Sequence, residues 1–303
     1  MPKIRYIDKN FQASTLAIID QANAIIVEYQ AQGFDLTVRQ LYYQFVARGL
    51  IPNTQRDYKR LGSIISNARL AGLIDWDSIV DRTRELKGLG HWDSPESIIH
   101  SAERGYHIDF WERQEYRPEV WVEKDALIGV FSRICNELDV PYFACKGYNS
   151  QSEMWAAGQR FLSYIGEGQV PIILHFGDHD PSGIDMTRDT EDRLKIFTEM
   201  YGVEVNRLAL NWDQIEQYRP PPNFAKTTDS RAAAYIAEFG NDSWELDAME
   251  PQVLADLVRN AIDTIRDQDI WDEDEDRKRE EKAQLRQVYQ NWEEIIESLN
   301  GSA

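Results

Sequence analysis

The chain has 303 residues, of which 42% are hydrophobic, with nine Trp, fourteen Tyr and eleven Phe, which gives room for two modest domains with real cores and excludes a disordered polymer. No stretch approaches the ~18 apolar residues of a membrane span and no basic-then-apolar leader follows Met1, so no membrane role is expected and the protein is expected to be cytoplasmic. The formal charge is −19, yet residues 1–120 are close to balanced; the acidic excess lies beyond them, partly in DQDIWDEDEDRKREEK, which reads as a solvated helix face or tail.

The first third reads as helices. Residues 11–31 carry Leu16, Ile19, Ala22, Ile26 and Tyr29 at helical spacing, with Gly33 as a stop. Thr37 and Gln40 form a T-x-x-Q capping box opening VRQLYYQFVARG. A third helix is predicted in RDYKRLGSIISNARLAGL, followed by a short strand or wing in IDWDSIVDRTR. Three helices with a trailing wing match a winged-helix, CAP-like pattern, although three helices alone give the same signal. From Pro118 the rhythm changes. EVWVEK, VPYFACKG, PIILHFG and VEVNRLAL read as strands, and the segments between them as amphipathic helices. That alternation predicts an α/β domain with a parallel, Rossmann-like sheet. The domains expected are therefore residues 1–88, a linker at 89–117, and 118–303 with the last helices packed back on the sheet. Cys135 and Cys145 sit in apolar stretches and are expected to be buried and reduced.

Ligands of open α/β sheets sit beyond the carboxyl ends of the strands. Two strands here end in acid. EVWVEK places Glu123 at its tip, and IILHFGDHDPSG places Asp178 and Asp180. Three carboxylates brought together need protons or a divalent cation, and hard oxygen ligands suit Mg²⁺. The alternative for the D-x-D pair is a helix N-cap at Asp180 or Ser182. Pro181 and Gly183 would fix the turn and admit a ligand close to the backbone. His179 is expected to point away from the acids. Asp185, Asp189, Glu191 and Asp192 read as the exposed first turns of the next helix.

A strand ending in Glu and a later strand ending in D-x-D resemble the Toprim fold of topoisomerases, primases and some nucleases. VEKDALIGVF, CKGYNS and FGDHDPSGIDM resemble, in order, three segments of the family of the topoisomerase VI A subunit and the meiotic double-strand-break protein. TVRQLYYQF is similar to that family's tyrosine motif, with Gln40 where the family has an acid. Helical geometry places Val38, Leu41, Tyr42, Phe45 and Val46 on one apolar stripe and Tyr43 off it, four residues after Arg39. The family motif also puts its nucleophile at the second tyrosine.

The resemblance implies a type IIB topoisomerase-like activity associated with the nucleoid. Tyr43 would attack a DNA phosphodiester with Arg39 beside it, giving a 5′-phosphotyrosyl link. Glu123, Asp178 and Asp180 would hold Mg²⁺. The chain would be a homodimer, the tyrosine of one copy meeting the acids of the other, so that double-stranded DNA is cut on both strands. Arg56, Lys59, Arg60 and Arg69 are the expected DNA contacts on the third helix, with a solvated basic face as the alternative. Lys124 and Lys146 are candidate phosphate contacts or simply exposed. The 42 residues before Tyr43 fall short of the region that docks a GHKL-type ATPase B subunit in the family, and point to a compact, stand-alone version. Two other readings stay open: a Toprim nuclease using metal-activated water, and a noncatalytic DNA-binding module.

Overall fold

Ile19, Ala22, Ile26 and Tyr29 share a buried stripe that winds Ala13–Ala31 into α1. The computed structural model describes residues 3–79, 89–199, 202–224 and 229–301. It divides into two units, Met1–Arg84 with Pro118–Thr264, and Glu85–Arg117 with Ile265–Ala303.

In the first unit, α1 is followed by α2 (Val38–Ala47) and α3 (Gln55–Leu70). Thr37 and Gln40 make the expected capping box: the Thr37 hydroxyl accepts from the Gln40 amide at 3.2 Å and the Gln40 side chain accepts from the Thr37 amide at 2.9 Å. Gln40 is thus used locally, to satisfy two otherwise unpaired helix-end amides. Leu16 is exposed rather than part of the stripe, and Ile25 takes the buried place. Of the expected wing, Leu36 and Ile79 form an isolated parallel bridge; residues 80–88 lie outside the described residues. The helices are those of the expected pattern, and a winged helix is not established by them.

The sheet follows the sequence pattern closely. β1 (Tyr116–Val122), β2 (Tyr142–Ala144), β3 (Val170–Phe176) and β4 (Glu204–Ala209) lie in the order β2-β1-β3-β4 and run parallel. The connections are a 3-10 turn and α5 (Ile128–Glu137), α6 (Gln151–Gly166) and α7 (Pro181–Phe197). Alternation along the strands separates two faces. Trp121 and Ile173 point to α6 and α7, where they pack with Met154, Ala157, Phe161 and Leu194. Phe176 points the other way and meets Phe131 of α5, with ring centroids 4.6 Å apart. Burying an aromatic such as Phe161 stabilises by roughly 2–3 kcal/mol. Both cysteines are buried and free.

Strand order carries a functional consequence. The chain leaves β1 for β2 on one side and returns to β3 on the other, so the order reverses between β1 and β3. That crevice is where open α/β sheets bind ligands. β1 and β3 are neighbours, and the Glu123 amide donates to the Phe176 carbonyl at 2.8 Å. Beyond β4, α8 (Trp212–Tyr218), the small antiparallel pair β5 (Asn223–Phe224) and β6 (Asp242–Ser243), α9 (Ala232–Phe239) and α10 (Pro251–Ile265) complete this unit.

The second unit corrects the domain plan drawn from sequence. Residues 89–117 are not merely a linker: they hold α4 (Pro95–Gly105), capped by Ser94, and group with α11 (Gln268–Gln290) and α12 (Trp292–Gly301). Those last helices belong with this segment and not with the sheet. Apolar and ionic contacts explain the pairing. Trp271 of α11 is buried against Phe110 and Trp111, and Glu103 of α4 accepts from Arg286 at 2.8 Å. The acidic run therefore forms a helix whose Trp271 and Asp274 face inward while most of its charges stay solvated.

Candidate active site at the strand tips

Glu123 follows β1 directly, and one of its carboxylate oxygens accepts from the Asp178 amide at 2.8 Å. Gly177 sits between the strand tips; a Cβ there would come within 3.2 Å of Glu123 Oε2. The carboxyls of Glu123 and Asp178 are crowded and largely dry. Burial, then the Asp178 charge, pushes Glu123 up to about 7. Burial raises Asp178 as well, against the pull of Lys124.

Asp178 is buried and both its oxygens are engaged. Oδ1 accepts from the Leu246 amide at 2.7 Å, and Oδ2 pairs with the Lys124 ammonium at 2.8 Å. Asp180 takes the helix-cap role: its Oδ1 accepts from the Gly183 amide at 2.7 Å and from the Ser182 hydroxyl at 2.8 Å. Gly183 is required here for a reason other than ligand approach, since a Cβ would overlap the Asp178 carbonyl oxygen. His179 turns away as expected. It is buried among Trp212, Phe239 and Trp244, with Nδ1 2.8 Å from the Tyr235 hydroxyl.

Among the described residues no group of three His, Cys, Asp or Glu side chains is arranged to hold a metal ion. Asp178 faces Lys124 instead, and Asp180 the helix cap. Carboxylate oxygens are the donor type a hard divalent cation takes, although the buried Arg207 guanidinium already offsets part of the charge of all three acids. The hydrogen bonds described engage one oxygen each of Glu123 and Asp180, so these two are the residues whose remaining oxygens would hold such an ion.

Arg207 lies on β4, and no motif of the sequence singles it out. It donates to the Asp178 carbonyl at 2.6 Å, to the Gly183 carbonyl and Thr187 hydroxyl at 2.9 Å each, and to the Gly177 and Leu210 carbonyls at 3.2 Å. Burial pulls it down to about 10 in spite of the nearby carboxylates. Arg207 knits the loop after β3 to β4 and fixes the acids from behind. Its signal in the sequence is a charged residue in the middle of an otherwise half-buried strand next to acidic tips.

The tyrosine helix meets this centre through a segment that was also unforeseen. Glu245 and Asp247, in WELDAM, sit on a 3-10 turn packed against α2. Lys124 pairs with Glu245 at 2.9 Å and approaches Asp247 at 3.5 Å. Arg39 pairs with Asp247 at 2.7 Å and also with Glu245. Its guanidinium lies 5.7 Å from the Tyr43 ring centroid. Asn223 donates to both the Tyr43 hydroxyl and Glu245 Oε1, each at 3.3 Å. A second acid-x-acid pair, E-x-D, was the available clue.

Tyr42 and Tyr43 are both only 4% exposed, so the apolar stripe does not separate them as expected. α2 is covered on two sides, by α3 and by the 245–247 turn. The two hydroxyls differ instead in their surroundings. That of Tyr42 donates to Asn53 and the Thr54 carbonyl at 3.0 and 3.1 Å. That of Tyr43 accepts from Asn223 at 3.3 Å; both tyrosines line one cavity of about 410 Å³, with Arg39, Asn53, Phe224 and Glu245. Burial, then the Glu245 charge, pushes the Tyr43 phenol up to about 12. Tyr43 meets these groups within its own chain.

The other basic residues separate. Arg56, Lys59 and Arg60 are exposed on α3. Arg69 is instead turned onto Trp76, 4.6 Å from its ring centroid, and donates to its carbonyl. Lys124 is not an exposed contact but the centre of the ion cluster. Lys146 is exposed and 3.3 Å from Asp125. Asp185, expected to be simply solvated, pairs with Arg231 at 2.6 Å and accepts from Tyr148. No membrane-crossing helix occurs among the described residues. No protein-family model matches the chain, and no curated protein sequence matches it.

Proposed function

We propose that this chain cleaves double-stranded DNA by transesterification, with Tyr43 as the nucleophile, in the manner of the topoisomerase VI A subunit it resembles. One observation supports this above the rest. Tyr43 lines a cavity with Arg39 and Glu245, its hydroxyl bonded to Asn223, and Glu245 connects through Lys124 to Asp178 at the switch point of the sheet.

In the reaction the Tyr43 oxygen bonds to phosphorus as the bond from phosphorus to the 3′-oxygen breaks. The phenol proton passes to water and the departing 3′-oxygen takes one from water, so no proton is gained or lost overall. The ester count is conserved, so the reverse step rejoins the strand. A phenol near 12 needs help to ionise, and Arg39 and Lys124 are the cations placed to favour the phenolate and the phosphate. Glu123 and Asp180 are the residues that would hold Mg²⁺, whose chemistry is to neutralise charge building on the phosphate and leaving oxygen. Exposed Arg56, Lys59 and Arg60 suit backbone contacts along the duplex. A homodimer would cut both strands.

The test is incubation with supercoiled plasmid and Mg²⁺, stopped by detergent with and without protease. The proposal expects linear DNA that enters a gel only after protease treatment, lost in Tyr43→Phe. The burial of Tyr43 favours a second reading, a nuclease using water; free 5′-phosphate ends with Tyr43→Phe fully active would establish it. Binding without any cut would leave a noncatalytic module.

A further inference from the structure

Three donors converge on one carboxylate beside the tyrosine. Glu245 Oε2 receives both Lys124 and Arg39, and Oε1 receives the Asn223 amide, which also donates to the Tyr43 hydroxyl. Guanidinium, ammonium and amide around two oxygens next to a nucleophile form a set that a phosphodiester's two free oxygens satisfy equally well. We propose that Glu245 is a built-in phosphate mimic: in the DNA-free chain it occupies the place of the scissile phosphate, and it must swing out for Tyr43 to engage DNA.

The neighbouring acid explains why the donors would stay when Glu245 leaves. The Asp247 side chain is fully buried and holds Arg39 Nε at 2.7 Å, with Lys124 at 3.5 Å; Asp178 holds Lys124 from the other side at 2.8 Å. The Glu245 side chain is 25% exposed and borders the cavity that faces Tyr43, so it has a route to solvent that Asp247 lacks. Glu245 is fully charged in place. Burial alone would raise it, but Lys124 and then Arg39 outweigh that and hold it at about 2. The two acids of E-x-D thus divide the work: Asp247 anchors the cations, and Glu245 guards them.

The inference rests on Tyr43 being the nucleophile, but its first test does not. Binding of a short duplex oligonucleotide is measured in a Tyr43→Phe background, with Glu245→Gln, Glu245→Asp and Glu238→Gln added separately. Glu238 is exposed on α9 and controls for the loss of one negative charge. Glu245→Gln should tighten binding about tenfold and steepen the log–log salt dependence by about one phosphate contact. Glu245→Asp, which keeps the charge but withdraws it, should tighten less and guards against a misfolded Gln variant. Weaker binding in both Glu245 variants, or equal tightening in Glu238→Gln, overturns the proposal. With Tyr43 restored, Glu245→Gln should raise the rate of covalent adduct formation at subsaturating DNA. Tighter binding without adducts in any variant would remove the nucleophile and keep the anion site. Adducts in the parent chain that fall in Glu245→Gln would remove the mimic alone.

Discussion

Two regions of the first unit are built on opposite terms. Between the sheet and the α6–α7 layer, Trp121, Met154, Phe161, Ile173 and Leu194 close on one another with no charge among them. At the seam between α2 and the 245–247 turn, Arg39, Lys124, Asp178, Glu245 and Asp247 are held together almost wholly by charge. An apolar core gains by excluding water and has a single filled arrangement. A charged seam balances desolvation against attraction, so an anion of similar shape can replace one of its members. The first region supports the fold. The second is where ligand binding can be coupled to motion.

The sharpest way to test that contrast is to damage the core. Phe161→Ala should cost about 3–5 kcal/mol, read as a fall in the denaturant midpoint, with no specific change in DNA affinity in the fraction still folded. A smaller loss is expected from Asp247→Ala. It strips the buried anchor from Arg39 and Lys124 but leaves Glu245 and Asp178 to them, so about 2–3 kcal/mol is expected, together with loss of adduct formation. If Asp247→Ala were neutral in both respects, the seam would not be the device described.

The smallest effect has the opposite sign. Glu123 is raised from the ordinary 4.5 to about 7, so the folded chain binds a proton that the unfolded chain has released between those values. Stability therefore falls as pH rises from 4.5 to 7. Glu123→Gln removes the penalty. In metal-free buffer it should stabilise the protein by on the order of 2 kcal/mol at pH 8 and leave it unchanged near pH 4. Thermal melts at the two pH values check this; destabilisation at pH 8 would show that the carboxylates are not crowded.

The core was legible and the seam was not, for a physical reason. Each strand is a short apolar run and each following helix has its own periodicity, so β1 to β4 and α5 to α7 are local signals. Glu123, Asp178 and Asp180 were visible because strand tips are identifiable places. Glu245 and Asp247 lie on an irregular turn far along the chain, and only tertiary packing brings them to Lys124 and Arg39. The same limit hid the pairing of α4 with α11, whose partners are separated by the whole sheet. Tyr43 falls off the apolar stripe because one helix considered alone has two sides; the chain covers both.

The most direct measurement is mass spectrometry of the protein after reaction with plasmid and Mg²⁺, denaturation, and digestion of DNA and protein. The account predicts a 5′-linked nucleotide phosphate on the peptide containing Tyr43, at the tyrosine oxygen. Cut DNA with an unmodified Tyr43 peptide, or an adduct on any other residue, would contradict it.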